Sequence, residues 1–455
     1  MIVLITKIRA FFNAPLIRLQ GALRGAQRRG NLRNIPQEQN VEIPEERQHQ
    51  AAITEGARNI PHEWNVETPV KRRLHVAIME GALLPLVLIL LLSACSPSPE
   101  TTPTPTTFIP ETTTPTEGVE LAQPQVVTTS EPVVLNPLTG LPPADPALLN
   151  RRPVMIKVSN YPQIGRPHAG LSFADIVFDY YIGSGTNRFL AVFYGNDSPQ
   201  VGPVRSGRFV DAQLATMYSG VLGYGSADED TDEELVSRLG NYAINNLEAP
   251  CPAFCGSATH DAIGVFARSD AITDFVNTQG WENGTPDLAG MVFSSDPPLG
   301  GKIADKALIL FNYYNRGEWR YDPASGKYLR WIETFPDVES DAFEMIPLVD
   351  RVTGQQLAFS NIIIIRAEYT ELAPTRHQID IWGNDKGLPA YFFRDGQMVE
   401  GSWRTFNDSD PMQFFDKEGN LFPLKPGNTW IVIAGLSSTF KETQPGEWEV
   451  FFFLP

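Results

Sequence analysis

Cysteine is scarce in this chain, which has only Cys95, Cys251 and Cys255 among its 455 residues. So few cysteines exclude a disulfide-rich scaffold and a zinc site built from two cysteine pairs. An oxidising compartment favours a disulfide between Cys251 and Cys255. Two free thiols are the alternative, because a loop this short constrains the unfolded chain little.

Histidine is also rare, and beyond Cys95 only His168, His260 and His377 occur. The sequence has no Gly-x-Ser-x-Gly elbow, no Walker loop and no His-Glu-x-x-His motif. We therefore predict no metal site and no cofactor. His260 and Asp261 form a candidate acid–base pair for catalysis, and a structural loop histidine is the alternative.

Basic residues become sparse after the first part of the chain. Residues 1–95 hold 12 Lys and Arg against 8 Asp and Glu, a net charge of +4, whereas the remainder holds 24 against 45, a net charge of −21. Nucleic-acid binding depends on basic side chains that replace counterions at the phosphates, so this acidic body is not expected to bind nucleic acid. Attachment to an anionic membrane would require a separate anchor.

No apolar run reaches the length of about 20 residues that a membrane-spanning helix needs. The run at 81–92 is shorter, contains Pro85, follows the basic residues 71–73, and ends with the leucine of Leu-Ser-Ala-Cys95. This arrangement predicts a lipoprotein signal peptide at 70–94 with lipidation at Cys95. The alternative is an uncleaved membrane anchor.

The segments on either side of the signal peptide differ sharply in composition. Residues 1–69 contain a sequence that recurs after 25 residues, and its second copy runs into the signal peptide. We interpret 1–69 as translated upstream DNA, with a disordered cytoplasmic extension as the alternative. Residues 95–135, which start at the lipidated cysteine, are rich in Thr and Pro and predict a disordered linker that holds a domain away from the membrane.

From Asn136 onward the pattern becomes that of a folded α+β protein. Short apolar runs predict strands at 154–158, 176–181 and 189–194, and apolar residues at helical spacing predict helices at 209–218, 230–239 and 269–278. Beyond residue 298 the pattern is nearly all β, with frequent turn signals. We expect a mixed α/β N-terminal domain at 136–295 and a mostly β C-terminal domain at 302–455.

The segment 205–208 combines two arginines with a position between a predicted strand and a predicted helix. Ser206 is expected to cap the helix, and Arg205 and Arg208, with Arg188 as a third arginine, would form a candidate anion-binding site. The alternative is that the arginines pair internally, with Asp175, Asp179 or Asp211.

The folded region carries a series of short motifs in a fixed order, which are Asn136-Pro137-Leu138-Thr139-Gly140, Arg152-Pro153-Val154, Arg166-Pro167-His168-Ala169-Gly170-Leu171, Ala174-Asp175-Ile176-Val177-Phe178, Arg188-Phe189-Leu190-Ala191-Val192-Phe193, Gly202-Pro203-Val204-Arg205-Ser206-Gly207-Arg208, Trp319-Arg320-Tyr321-Asp322, Phe393-Arg394-Asp395-Gly396, Gly401-Ser402-Trp403 and Leu424-Lys425-Pro426-Gly427-Asn428-Thr429-Trp430. In this order they resemble the YerB-like lipoprotein family. The resemblance extends over residues 136–455. It implies a cell-envelope lipoprotein with an N-terminal and a C-terminal domain and no assigned reaction.

Two hypotheses for the function follow. The first is a non-enzymatic lipoprotein on the outer face of the membrane that binds a cell-wall component or an envelope protein. The second is an envelope hydrolase or transferase that acts on an anionic glycan through Arg205, Arg208, His260 and Asp261.

Overall fold

The computed structural model describes residues 133–257, 263–334 and 344–454. These residues belong to one compact unit, Thr129–Pro455. Cys95, the segment 1–69, the signal peptide 70–94 and the linker up to residue 132 lie outside the described residues, as do His260 and Asp261. In the part that is described, no helix is long and apolar enough to cross a membrane.

Three α-helices occur in the described ranges, at the three predicted places. They are α1 Phe209–Met217, α2 Glu229–Leu239 and α3 Ser269–Thr278. Helix α2 shows why sequence identifies such elements: Asp228 caps it by accepting the Thr231 amide at 3.2 Å, and its first turn is acidic. The described residues also contain short 3₁₀ turns, at Pro146–Asn150, Gln163–Gly165, Leu171–Phe173 and Gly240–Tyr242.

Strands make up most of the regular structure that is described. They are β1 Val154–Ser159, β2 Ile176–Gly183, β3 Thr186–Phe193, β4 Val221–Tyr224, β5 Ala243–Asn245, β6 Phe254–Gly256, β7 Val265–Ala267, β8 Lys302–Ile303, β9 Lys306–Asn312, β10 Asn315–Asp322, β11 Lys327–Glu333, β12 Met345–Pro347, β13 Ala358–Phe359, β14 Asn361–Ala373, β15 Arg376–Asp380, β16 Leu388–Arg394, β17 Gln397–Arg404, β18 Gln413–Phe415, β19 Thr429–Gly435, β20 Thr439–Gln444 and β21 Glu447–Phe451.

The larger sheet combines strands from both predicted domains. Its order is β18-β17-β16-β14-β19-β2-β3-β1-β4-β5, with β15 on β14 and β8 on β17. Strand β19, from the second half of the chain, lies between β14 and β2 and is parallel to both. Its seven residues are all buried, as are those of β1, which suits the near-continuous apolar sequence of both strands.

A second sheet packs against one face of the first. Its order is β12-β11-β10-β9-β21-β20, with β13 on β11, so that β9 to β12 form a meander. The two sheets meet at Trp430, whose ring lies 5.2 Å from that of Trp319 and 5.3 Å from that of Phe359. A separate pair, β6 and β7, follows Cys251, which is disulfide-bonded to Cys255.

Side chains along the central strands point alternately to the two faces of the sheet, and these faces are different environments. On β2, Phe178 and Tyr180 face helix α1, as shown by the contact of the Phe178 ring with Tyr218 at 5.7 Å. Asp179, between them, faces the second sheet and accepts a hydrogen bond from Trp430. Because Arg188 pairs with Tyr180 in the register of β2 and β3, Arg188 also lies on the helix face.

Candidate functional site

The parallel strands β1 and β4 reach their carboxyl ends at the same edge of the larger sheet. The segment Arg205 to Arg208 runs across this edge: the Arg205 amide donates to the Lys157 carbonyl at 3.0 Å, and the Gly207 amide donates to the Ser226 carbonyl at 2.7 Å. Ligands of open α/β sheets characteristically bind at the carboxyl ends of the parallel strands. The predicted anion site therefore lies where this topology favours binding.

The structure brings together the four predicted residues Arg188, Arg205, Ser206 and Arg208, which we call the arginine site. Arg188 donates from Nη1 to the Ser206 carbonyl at 2.7 Å, and Arg208 donates from Nη1 to the Gly207 carbonyl at 2.7 Å. The three residues of the loop are partly exposed, whereas Arg188 is 8% exposed and lies beneath them. A ligand would meet the loop first and the buried guanidinium below it.

The prediction that Ser206 caps the following helix is wrong. Helix α1 begins at Phe209, and its N-cap is Arg208. The reason is that the chain remains extended and paired with the β4 loop through Gly207, so that the helix starts later. Asp211 accepts the Arg208 amide at 2.7 Å and thus stabilises the helix start, while the Ser206 hydroxyl lies 3.2 Å from that of Ser226.

Of the three carboxylates that are the alternative partners for these arginines, Asp175 and Asp179 have other partners. Asp175 accepts the Tyr194 and Gly195 amides at 2.6 and 2.9 Å. Asp179 lies 3.8 Å from Arg330 on the opposite face of the sheet. Among the described residues, neither Arg188 nor Arg208 lies within salt-bridge distance of a carboxylate.

Beneath the arginine site is a buried trio, Lys157, Tyr180 and Asp211, of which sequence analysis names only Asp211, as an alternative partner for the arginines. Lys157 lies 3.1 Å from Asp211, and the Tyr180 hydroxyl contacts both of them. Burial lowers the pKa of the Lys157 ammonium to about 7; Asp211 opposes this shift, and Arg188 and Arg208 add to it. Sequence analysis does not identify Lys157 as a site residue, because a single lysine within an apolar strand forms no recognisable motif.

Several positively charged side chains lie close together in and beneath the arginine site. Burial holds the pKa of the Arg188 guanidinium well below its ordinary value, with further contributions from Arg208 and Arg205. Burial also lowers the pKa of Arg208, against the opposing effect of Asp211. The site thus concentrates positive charge in a protein whose remaining surface is acidic, and an anion placed here would relieve the repulsion.

Comparison with known proteins agrees with this fold. Residues 138–282 match the N-terminal domain, and residues 309–431 the C-terminal domain, of the family described as "Protein of unknown function (DUF3048)". The chain belongs to this family.

A relative is also known from Bacillus subtilis (strain 168), under the name "Putative lipoprotein YerB". It is 28% identical over 307 residues, which are 66% of this chain and 85% of the relative. The crystal structure of the YerB protein from Bacillus subtilis is similar in fold, with a TM-score of 0.53 and 25% sequence identity. The match covers 66% of this chain and 96% of that structure.

Several motifs of this DUF3048 protein have structural roles. Asn136, which opens the first motif, donates from Nδ2 to Asp175 at 3.0 Å and accepts the Leu138 amide at 2.9 Å. The contact fixes the start of the folded region beside strand β2. These residues therefore stabilise the fold. The arginine site remains the candidate for binding.

The two described histidines pack against aromatic rings, and burial, with a smaller contribution from the charge of Arg208, lowers the pKa of His377. His168 is fully buried with its ring 5.1 Å from Phe189 on the opposite face of the sheet. His377 is buried against Tyr181, at a ring distance of 5.2 Å. The described residues contain no group of three or more His, Cys, Asp or Glu side chains arranged to hold a metal ion.

Proposed function

We propose that this protein is a lipoprotein, anchored through Cys95 to the outer face of the cell membrane, whose folded body binds an anionic component of the cell envelope at the arginine site. The sequence around Cys95 and the name of the Bacillus subtilis relative support the anchor. The Thr/Pro-rich linker then extends the body into the envelope. Binding, rather than catalysis, is the role that the geometry supports best.

One observation carries this proposal: Arg188 is almost fully buried beside Arg205 and Arg208, with no carboxylate at salt-bridge distance from Arg188 or Arg208 among the described residues. A buried charge that is not neutralised is costly, and carboxylate or phosphate oxygens would supply both the charge and acceptors in the planar geometry that guanidinium groups favour. The partly exposed Arg205 and Arg208 give a ligand access from the surface.

Binding of sulfate tests the site directly. We expect the double variant Arg205→Gln, Arg208→Gln of the full chain to bind sulfate roughly 100-fold more weakly than the unmodified protein, a difference of about 2.7 kcal/mol, because two charge-assisted contacts are lost. Isothermal titration calorimetry gives both affinities. Arg268→Gln is the matched control, since Arg268 pairs only with Asp270 on the surface among the described residues. Equal affinity of the double variant and the control would refute the site.

The pH dependence of sulfate binding tests the contribution of Lys157. Its pKa of about 7 means that it gains a positive charge as the pH falls from 8 to 6, while Tyr180, whose pKa burial holds well above its ordinary value, stays protonated. Arg188 and Arg208 also act on the charge of Lys157. Asp211 faces Lys157 throughout. We expect sulfate affinity to rise by roughly tenfold over this range, about 1.4 kcal/mol, and the rise to disappear in Lys157→Met. An identical pH profile in that variant would contradict the expectation.

A further inference from the structure

A pair of exposed aromatic residues lies at the turn between β9 and β10. Tyr313 is 53% exposed and Tyr314 is 47% exposed, and their rings are nearly perpendicular at a centroid distance of 5.1 Å. The Arg316 guanidinium lies over the Tyr313 ring at 5.1 Å. We call this turn the tyrosine hairpin. Adjacent exposed aromatic rings of this kind are typical of binding surfaces.

The tyrosine hairpin is fixed to the strands that carry the arginine site. Asn312 and Asn315 each donate from Nδ2 to the Gly185 carbonyl, at 2.9 Å in both cases, in the turn between β2 and β3. Asn315 also donates to Asn187 at 3.1 Å, and Asn187 directly precedes Arg188. The hairpin therefore keeps a defined position relative to the edge of the larger sheet.

One residue, Tyr161, connects the two surfaces. Its hydroxyl donates to Glu333 at 2.6 Å and lies 3.2 Å from the Tyr314 carbonyl. Its own carbonyl accepts from Arg205 Nη2 at 3.5 Å, and Arg205 Nε donates to the Ser159 hydroxyl at 3.3 Å. The backbone of the tyrosine hairpin and the Arg205 guanidinium thus contact opposite ends of the same residue, Tyr161.

We infer that the arginine site and the tyrosine hairpin together bind an acidic glycan chain, with its carboxylate or phosphate groups at the arginines and a sugar ring on the exposed tyrosines. This inference rests on the proposed function and names the class of its ligand. Arginine forms paired hydrogen bonds with carboxylate and phosphate oxygens. The apolar C–H face of a sugar ring packs on a flat aromatic ring, and only a ligand with both features uses both surfaces.

Three probes separate the two contributions: sulfate, which has charge only; oligogalacturonate, which has acidic sugar rings; and a neutral chitin oligosaccharide of equal length. The variant Tyr313→Ser, Tyr314→Ser of the full chain is expected to bind oligogalacturonate roughly tenfold more weakly, the scale of one lost aromatic contact, with unchanged sulfate affinity. Phe406→Ser, which removes a 46% exposed aromatic ring elsewhere, is the matched control and should bind both as the unmodified chain does.

Each other outcome overturns a stated claim. Unchanged oligogalacturonate affinity in the tyrosine variant refutes the glycan inference and leaves the anion site standing. If the tyrosine variant binds sulfate and oligogalacturonate equally more weakly, the glycan inference is also refuted, because the substitutions would then act by disturbing the fold. Equal binding of the neutral chitin oligosaccharide and of oligogalacturonate shows that charge is not required. Absence of sulfate binding by the unmodified chain refutes the proposed function itself.

Discussion

Replacing Trp430 with alanine is expected to lower the free energy of unfolding by about 4 kcal/mol, the scale found for large aromatic residues in well-packed cores. Trp430 is fully buried on β19, and its ring contacts those of Trp319, Phe359 and Phe189 at 5.2, 5.3 and 4.9 Å. Its indole Nε1 donates to Asp179 at 3.3 Å. The substitution opens a cavity between the sheets and removes a hydrogen bond from a buried carboxylate.

Urea denaturation followed by circular dichroism measures this loss. Leu299→Ala is the control, because Leu299 is 97% exposed and its truncation should change the free energy of unfolding by less than about 0.5 kcal/mol. A loss below about 1 kcal/mol for Trp430→Ala would show that Trp430 does not hold the two sheets together.

The second large effect is expected at acidic pH, at His168. Burial lowers the pKa of this histidine to about 3, and the charges of Arg166, Arg330 and Arg351 contribute, while the backbone of Ser159 opposes the shift. The ordinary value is 6.5. As the pH falls below 6.5 the unfolded chain takes up a proton that the folded protein does not accept until about pH 3. The stability associated with neutral His168 is therefore present above pH 6.5 and is lost as the pH falls towards 3.

Between pH 7 and pH 4 this loss amounts to about 3 kcal/mol. We expect His168→Phe to lose about 3 kcal/mol less stability than the unmodified protein over the same interval. Burial raises the pKa values of Asp175 and Asp179 to about 6, so their contributions are present below pH 3.8 and are lost as the pH rises through 6. Because both proteins contain these carboxylates, their effect cancels in the difference. Parallel pH profiles for the two proteins would contradict the assignment.

The three helices and the strands β1 to β3 could be predicted because each has a local signal, whereas short strands such as β4 and β5 were not predicted. The apolar periodicity of 209–218 and the acidic first turn of 230–239 depend only on neighbouring residues, and both helices lie where expected. The sharing of one sheet by the two halves could not be predicted in this way. It depends on the pairing of β19 with β2, in which Thr429 lies opposite Ile176, and no local pattern encodes such a distant partner.

The arginine site was predictable only in part, for a similar reason. Arg205, Ser206 and Arg208 are close in sequence, and their position between a strand and a helix indicated anion binding. Lys157 and Tyr180 belong to apolar strands, and only the fold places them beneath the loop. The residue type of Ser206 predicts a helix cap, but the pairing of Gly207 with the β4 loop delays the helix.

The insertion of β19 between β14 and β2 also constrains how this protein can evolve. A gene that encodes only the first family domain would leave the backbone donors and acceptors of β2 unpaired along one edge, which is a template for aggregation. Separating the two domains would therefore expose this edge. The pairing of β19 with β2 thus favours inheritance of the two domains together, as a single unit of selection.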